Sequence, residues 1–342
     1  MVTIIAPCRN EAGFIEQALT SILDNDYPAN LTELLVVDGM STDGTREIAQ
    51  KMCEQDARIR LIDNPRKIVP TAMNIGIEAA KGKYILRIDC HSFFARDYIS
   101  KCVYLLSQTG ADVVGGYIET LPAKDSPVGR AIAAATSSIF GVGSSRFRLT
   151  GPQQQVDTVP FGAYRKEVFE KVGLYDERLV RNQDIEINSR IRKAGGQIII
   201  SPEIKLSYYN RATYRGLWQQ AFNNGLWNPY TIWLAGSGLS LRHFVPMLFL
   251  LGLVVLGVGA FCWAPFRWLL LLYGGIYLLA ASGFSIQRSL KTKARIGLIL
   301  WSFVVSHVAY GLGSLWGVTT IPFKFRNQNR GAVVKPLADR RI

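Results

Sequence analysis

No two cysteines in the 342-residue chain are spaced as CxxC. The five present, Cys8, Cys53, Cys90, Cys102 and Cys262, are odd in number and scattered, which argues against a disulfide framework and against a zinc site. They are expected to be reduced and mostly buried thiols, as in a cytoplasmic domain. Two nucleotide-binding signatures are missing as well. No GxGxxG follows the first apolar run, which disfavours a dinucleotide dehydrogenase, and no GxxxxGK[ST] loop occurs. Nor does the N-terminus read as a signal peptide, because Met1–Ala6 is a short apolar run stopped by Pro7, Arg9 and Glu11. The first domain is therefore expected in the cytoplasm.

Acidic residues are scarce in one part of the chain only. From residue 241 onward there are 12 Lys+Arg and a single acid, Asp339, so this part carries +11 of the total +13. A basic excess of this size raises nucleic acid as a partner, but the cations sit in the least polar part of the chain, and no nucleic acid is expected. A content of 49% hydrophobic residues excludes disorder. Three uncharged stretches, Phe244–Ala264, Trp268–Ile286 and Ile296–Phe323, are each long enough for a helix to cross a hydrocarbon core of about 30 Å. The expected organisation is a catalytic domain over 1–230, an interfacial segment over 214–240, a membrane region of two to three spans over 241–323 and a basic tail over 324–342. Membrane lipids are the implied partner. Arg288, Lys291, Lys293 and Arg295, between the second and third stretches, suit the cytoplasm after two crossings. A third crossing would put the tail outside, unless the third stretch, with Gly311, Gly313 and Gly317, is broken or re-entrant.

Residues 1–120 alternate two patterns. Val2–Ala6, Leu34–Asp38, Ile59–Asp63, Tyr84–Asp89 and Val113–Tyr117 read as buried strands, and Phe14–Leu23, Thr45–Cys53, Thr71–Ala80 and Tyr98–Leu106 as amphipathic helices. Regular alternation specifies an α/β, doubly wound, mostly parallel sheet, with ligands at the carboxyl ends of its strands. Three such ends are polar: Pro7-Cys8-Arg9-Asn10-Glu11, then Asp38 through Thr45, then Asp89-Cys90-His91. Topology alone thus brings Glu11, Asp38, Asp89 and His91 to one edge. Asp43 and Thr45 either join them or only close a turn and cap a helix.

In an extended segment, residues two apart face the same way, so Asp89 and His91 share a side and Arg87 lies beside them. A carboxylate and an imidazole suit a hard divalent cation, Mn²⁺ or Mg²⁺, with positions left for phosphate oxygens and water. Farther on, Asp184 and Glu186 open a helical segment that runs to about Lys193. Either they stabilise its N-terminus or one of them is a general base, as inverting sugar transfer from a diphosphate requires.

In this order, Pro7–Glu11, Val36–Thr45, Arg87–His91 and Gln183-Asp184 resemble the inverting family 2 glycosyltransferases, whose catalytic domain has the GT-A fold; the match covers roughly residues 1–230. The Asp-x-His form, the Gly162-centred stretch and the apolar tail look most like bacterial transferases that build succinoglycan-type exopolysaccharides on a lipid carrier. The resemblance implies an enzyme that transfers a hexose from a nucleotide sugar, a UDP-hexose, to a polyprenyl-diphosphate-linked acceptor. It assigns Pro7, Arg9, Glu11, Asp38, Asn74, Arg87 and Asp89 to the nucleotide sugar, Asp89 and His91 to the metal, and Asp184 to the catalytic base. Gly162, Gln183, Gln220 and Trp227 fall to the acceptor, the last two within a segment that otherwise anchors at the interface. The sequence departs from the family pattern at Gly39, where many members have an acid, at His91, which replaces a carboxylate, and at Gln183, where Glu is usual. Two other readings compete. A sugar nucleotidyltransferase is disfavoured for want of a glycine-rich basic loop after the first strand. A non-enzymatic transporter part or scaffold is disfavoured because three spans rarely make a transport path alone and, apart from His307, hold no ionisable group to mark one.

Overall fold

The computed structural model describes residues 1–143, 145–236 and 238–326. The expected tail lies outside the described residues beyond Arg326. The chain forms two compact units, one from Met1–Glu119 with Thr150–Tyr208 and one from Thr120–Leu149 with the described residues from Tyr209 to Arg326. In chain order the elements are β1 (Val2–Cys8), α1 (Ile15–Leu23), β2 (Thr32–Asp38), α2 (Thr45–Gln55), β3 (Ile59–Asp63), α3 (Val69–Ala79), β4 (Tyr84–Arg87), β5 (Ser92–Phe94), α4 (Tyr98–Thr109) and β6 (Val113–Pro122). Then come α5 (Pro127–Thr136), α6 (Ile139–Val142), β7 (Gln154–Gln155), β8 (Ala163–Arg165), α7 (Glu167–Val172), α8 (Gln183–Lys193), β9 (Ile198–Asn210), α9 (Tyr214–Ala235), α10 (Val245–Cys262), α11 (Ala264–Thr292) and α12 (Ile296–Lys324).

The first unit is built on one mixed sheet in the order β3-β2-β1-β4-β8-β6-β9-β5, with β7 paired to β9. The first four strands are parallel; β1 and β2, with unbroken apolar runs, are covered on both faces, whereas the edge strand β3 buries only Ile59. Every residue of β1 and β2 is buried. Helix α3 lies so close to β1 that a Cβ on Gly76 would stand 2.6 Å from the Ile5 side chain. Beyond β4 the parallel pattern ends, because β8 runs antiparallel to both β4 and β6. Strand β4 also stops two residues short of expectation. Asp89 to Ser92 is a turn, closed by the Ser92 amide donating to the Asp89 carbonyl at 3.0 Å, so the extended geometry expected for Asp89 and His91 is replaced by a bend.

The second unit is helical. Its insert, residues 120–149, carries α5, whose small residues Ala131, Ala134 and Ala135 cluster with Ala294, Ile299 and Phe303. Phe140 of α6 sits among the rings of Phe284, Phe303 and His307, at 4.9–5.1 Å between centroids. Three helices in this unit, Leu241–Cys262, Ala264–Thr292 and Ile296–Lys324, are long and apolar enough to cross a membrane.

Candidate active site

The loops after β1 and β2 are bonded to each other. Asn10, held at φ 56°, receives the Thr42 amide on its side chain at 3.0 Å and donates its own amide to the Ser41 hydroxyl at 2.9 Å. The Glu11 amide donates to Thr45 Oγ1 at 2.7 Å and the Ala12 amide to Asp43 at 3.2 Å. Bonding to the Thr45 hydroxyl, foremost, holds the Asp43 carboxyl below the usual range. Asp43 and Thr45 thus fasten the two loops. Asp38 is fully buried and accepts from Ser41 (amide 3.1 Å) and Arg46 (3.3 Å), so its carboxylate fixes the second loop. The Arg9 side chain lies across Gly39, and Pro7 is buried in β1.

At the end of β4, Arg87 links two acids. Its guanidinium donates to Asp89 Oδ1 at 3.1 Å and, from Nη1, to Asp184 Oδ1 in a short contact. The Arg87 side chain is 6% exposed, Asp89 21% and Asp184 24%, so the carboxylates reach solvent while the cation between them does not. Burial works against the Arg87 charge, but Asp184 and then Asp89 hold the group protonated, above the ordinary arginine value. Burial likewise pushes the Asp184 carboxyl up; Arg87 opposes that rise and Asp89 adds to it. Asp184 is set by Asn182, whose φ of 60° turns the chain into α8. Glu186, the other acid of that turn, is buried and bonded to Arg190 at 2.7 Å, which leaves Asp184 as the one that faces Arg87.

His91 Nδ1 lies 3.6 Å from Glu11 Oε1, and its ring meets Tyr208 edge-on at 5.2 Å. No cluster of three or more His, Cys, Asp or Glu able to hold a metal occurs among the described residues. The donor chemistry nevertheless fits a divalent cation that takes part of its shell from a ligand. Asp89 and His91 supply a carboxylate and an imidazole, and Glu11 stands beside the imidazole.

Three of the assigned residues also have packing roles. Asn74 is buried, its amide donating to the Tyr175 carbonyl (3.0 Å) and Glu177 (2.9 Å) while its oxygen accepts the Tyr175 amide (2.8 Å). It ties residues 175–177 to α3, with both amide hydrogens donated and one lone pair of its oxygen in use. Gly162 is required by packing: its carbonyl accepts the Arg87 amide at 3.2 Å, and a Cβ there would stand 3.0 Å from Tyr164 and Val113. Trp227, on α9 of the second unit, is 9% exposed, meets Tyr230 edge-on and lies 4.9 Å beneath the Lys324 ammonium. Gln220 is half-buried on the same helix, and Gln183 is buried at the start of α8. Sequence reasoning missed Phe161, whose ring lies 6.0 Å from the Arg87 guanidinium, and Tyr208 against His91. An aromatic beside Gly162 was the only available signal for the first.

A mixed α/β domain of this strand order, with acids at the carboxyl edge of its parallel half, defines a GT-A-like glycosyltransferase. Residues 3–173 match the family described as Glycosyl transferase family 2, and the chain belongs to that family. It is 30% identical over 313 residues to the succinoglycan biosynthesis protein ExoA of Rhizobium meliloti (strain 1021), covering 91% of this chain and 92% of that one. A glycosyltransferase of Methanococcus voltae, named as a dolichyl N-acetyl-alpha-D-glucosaminyl phosphate diacetamido-dideoxy-glucuronosyltransferase, is 26% identical, covering 70% of this chain and 74% of that one. Among solved structures, the mannosyltransferase PcManGT of Pyrobaculum calidifontis shares the fold with a TM-score of 0.63 at 19% identity, covering 92% of this chain and 87% of that one.

Proposed function

We propose that this glycosyltransferase moves a hexose, with inversion, from a nucleoside diphosphate sugar to a lipid-linked saccharide in exopolysaccharide or cell-surface glycan synthesis. The observation that carries the reading is the single buried arginine, Arg87, shared by Asp89 and Asp184. A group that leaves as a diphosphate needs fixed positive charge near it, and an attacking hydroxyl needs a carboxylate to take its proton. Arg87 serves the first need from the side of Asp89. Asp184, raised by burial and restrained by Arg87, serves the second: as the bond from the anomeric carbon to the phosphate oxygen breaks, the acceptor oxygen bonds to that carbon and its proton passes to Asp184.

Asp89 and His91, with Glu11 adjacent, would hold Mn²⁺ or Mg²⁺, which supplies charge stabilisation to the diphosphate. PcManGT was solved with GDP-Man and Mn²⁺, which supports a nucleotide sugar and a divalent cation as the ligand class. Relation to ExoA supports an exopolysaccharide product. A UDP-hexose is the donor we favour, with a polyprenyl-diphosphate acceptor, the first unit acting as catalytic domain and the apolar helices as membrane anchor. The test is turnover of a panel of UDP- and GDP-hexoses by purified protein with Mn²⁺ or Mg²⁺ and lipid-linked acceptor. Release of UDP with a β- or α-linkage opposite to the donor's supports the reading; retained configuration, or no turnover across the panel, overturns it.

A further inference from the structure

Length and composition allow α12 to cross a bilayer, yet its neighbours do not. It runs parallel to α9 for its whole length. Tyr214 Oη donates to the Leu298 carbonyl at 3.0 Å, Ser314 Oγ to the Gly225 carbonyl at 3.1 Å, and Tyr230 shares a hydrogen bond of 2.6 Å with Thr320. At the far end the Lys324 ammonium sits 4.5 Å over the Tyr230 ring. The two backbones touch, since a Cβ on Gly313 would stand 2.0 Å from the Phe222 carbonyl oxygen and one on Gly225 2.0 Å from that of Tyr310. Whatever depth α12 takes, α9 takes too. But α9 carries Arg215, Gln219, Gln220, Asn223, Asn224 and Asn228 within its 22 residues, and Arg215 and Gln219 are exposed. A helix with that content does not span hydrocarbon.

A second observation is independent of α9. Gly311, halfway along α12, abuts the Pro246 carbonyl and Leu250 at the start of α10. If α12 crossed the bilayer, α10 would begin at mid-depth, with its 18 apolar residues still to run.

We infer that α12 lies with α9 in the plane of the membrane surface and that the chain crosses twice only, as the hairpin of α10 and α11. The face α12 turns away from α9 suits that position. Trp301, Leu312, Trp316 and Phe323 are 52%, 39%, 59% and 84% exposed and fall on one side of the helix, where acyl chains meet headgroups. Two crossings also put Arg242, Arg288, Lys291, Lys293, Arg295, Lys324 and Arg326 on one surface, which attracts anionic headgroups. The far side receives the hairpin tip, with exposed Cys262 and Trp263.

A membrane-impermeant maleimide applied to intact spheroplasts and to inverted vesicles of an expressing host tests this. Cys262 marks the tip, and Glu54→Cys with Cys262→Ser marks the side of the first unit. Arg326→Cys with Cys262→Ser should label from the same side as Glu54→Cys, and only from there. Labelling from the side that reaches Cys262 makes α12 a third span and overturns the inference. Should Arg326→Cys not accumulate in membranes, Gln328→Cys gives the same reading. Brominated-lipid quenching of a variant whose only tryptophan is Trp316 adds a depth: quenching strongest by shallow bromines is expected, and strongest by bromines at the bilayer centre contradicts it.

Discussion

Arg87 and Asp184, 97 residues apart in sequence, form an ion pair that joins the end of β4 to the first turn of α8. The same guanidinium holds Asp89, so one buried cation sets two carboxylates that the proposed reaction uses differently. Removal of the Asp184 charge separates their roles. Asp184→Asn should bind the donor nucleotide as the native protein does and lose transfer by about 10²–10⁴-fold, the usual worth of a general base. Equilibrium binding and initial rates decide it, and a rate within a few-fold of native removes Asp184 as the base.

Arg87 also restrains the basicity of that carboxylate. A base acts only when deprotonated, so activity falls as pH drops through the raised value of Asp184. In Arg87→Met the lowering influence is gone while burial and Asp89 still raise the group. The acid limb of the rate profile should therefore move to higher pH, together with a fall in the plateau rate. A limb that stays in place, or moves to lower pH, assigns the titration to another group.

His91 stands where the family pattern has a carboxylate, and it faces Glu11 and Tyr208. His91→Ala should raise the concentration of Mn²⁺ or Mg²⁺ needed for half-maximal rate by about 10–100-fold, the range seen when a partner of a metal site is lost. A metal titration at saturating donor measures this, and an unchanged midpoint makes His91 a loop residue. His91→Asp should restore the midpoint, since it supplies the oxygen donor that hard cations prefer.

Strands β1 and β2 were legible in the sequence because they are buried on both faces and their apolar runs are continuous, whereas β3, at the sheet edge, is interrupted by Arg60 and buries only Ile59. The acids at the edge followed from strand polarity. Legibility stopped where a long-range partner decides a local role. Asn74 is assigned to the nucleotide sugar by resemblance alone, whereas its amide bonds residues 175–177, which no spacing rule connects to it. Glu186 and Asp184 are equivalent by helix position; Arg190 and Arg87 distinguish them. The insert over 120–149 was opaque because its Ala-rich face is complementary to α12, a surface that sequence alone does not display.

Glycines in the helical unit show the same dependence on partners, and a pair of substitutions makes it measurable. Gly257 in α10 has nothing within 4 Å of a Cβ, whereas Gly313 in α12 has the Phe222 carbonyl oxygen at 2.0 Å and the Leu226 amide at 3.0 Å. By helix propensity alone both would gain about 1 kcal/mol as alanine. Gly257→Ala should keep or raise the thermal midpoint in detergent. Gly313→Ala must push α9 and α12 apart, because a backbone carbonyl does not swing aside as a side chain does. The loss of close contact, about 1–3 kcal/mol for overpacking, outweighs the propensity gain and lowers the midpoint. If both variants shift alike, the two backbones are not in contact, and the parallel seating of α9 along α12 on which the membrane topology rests is wrong.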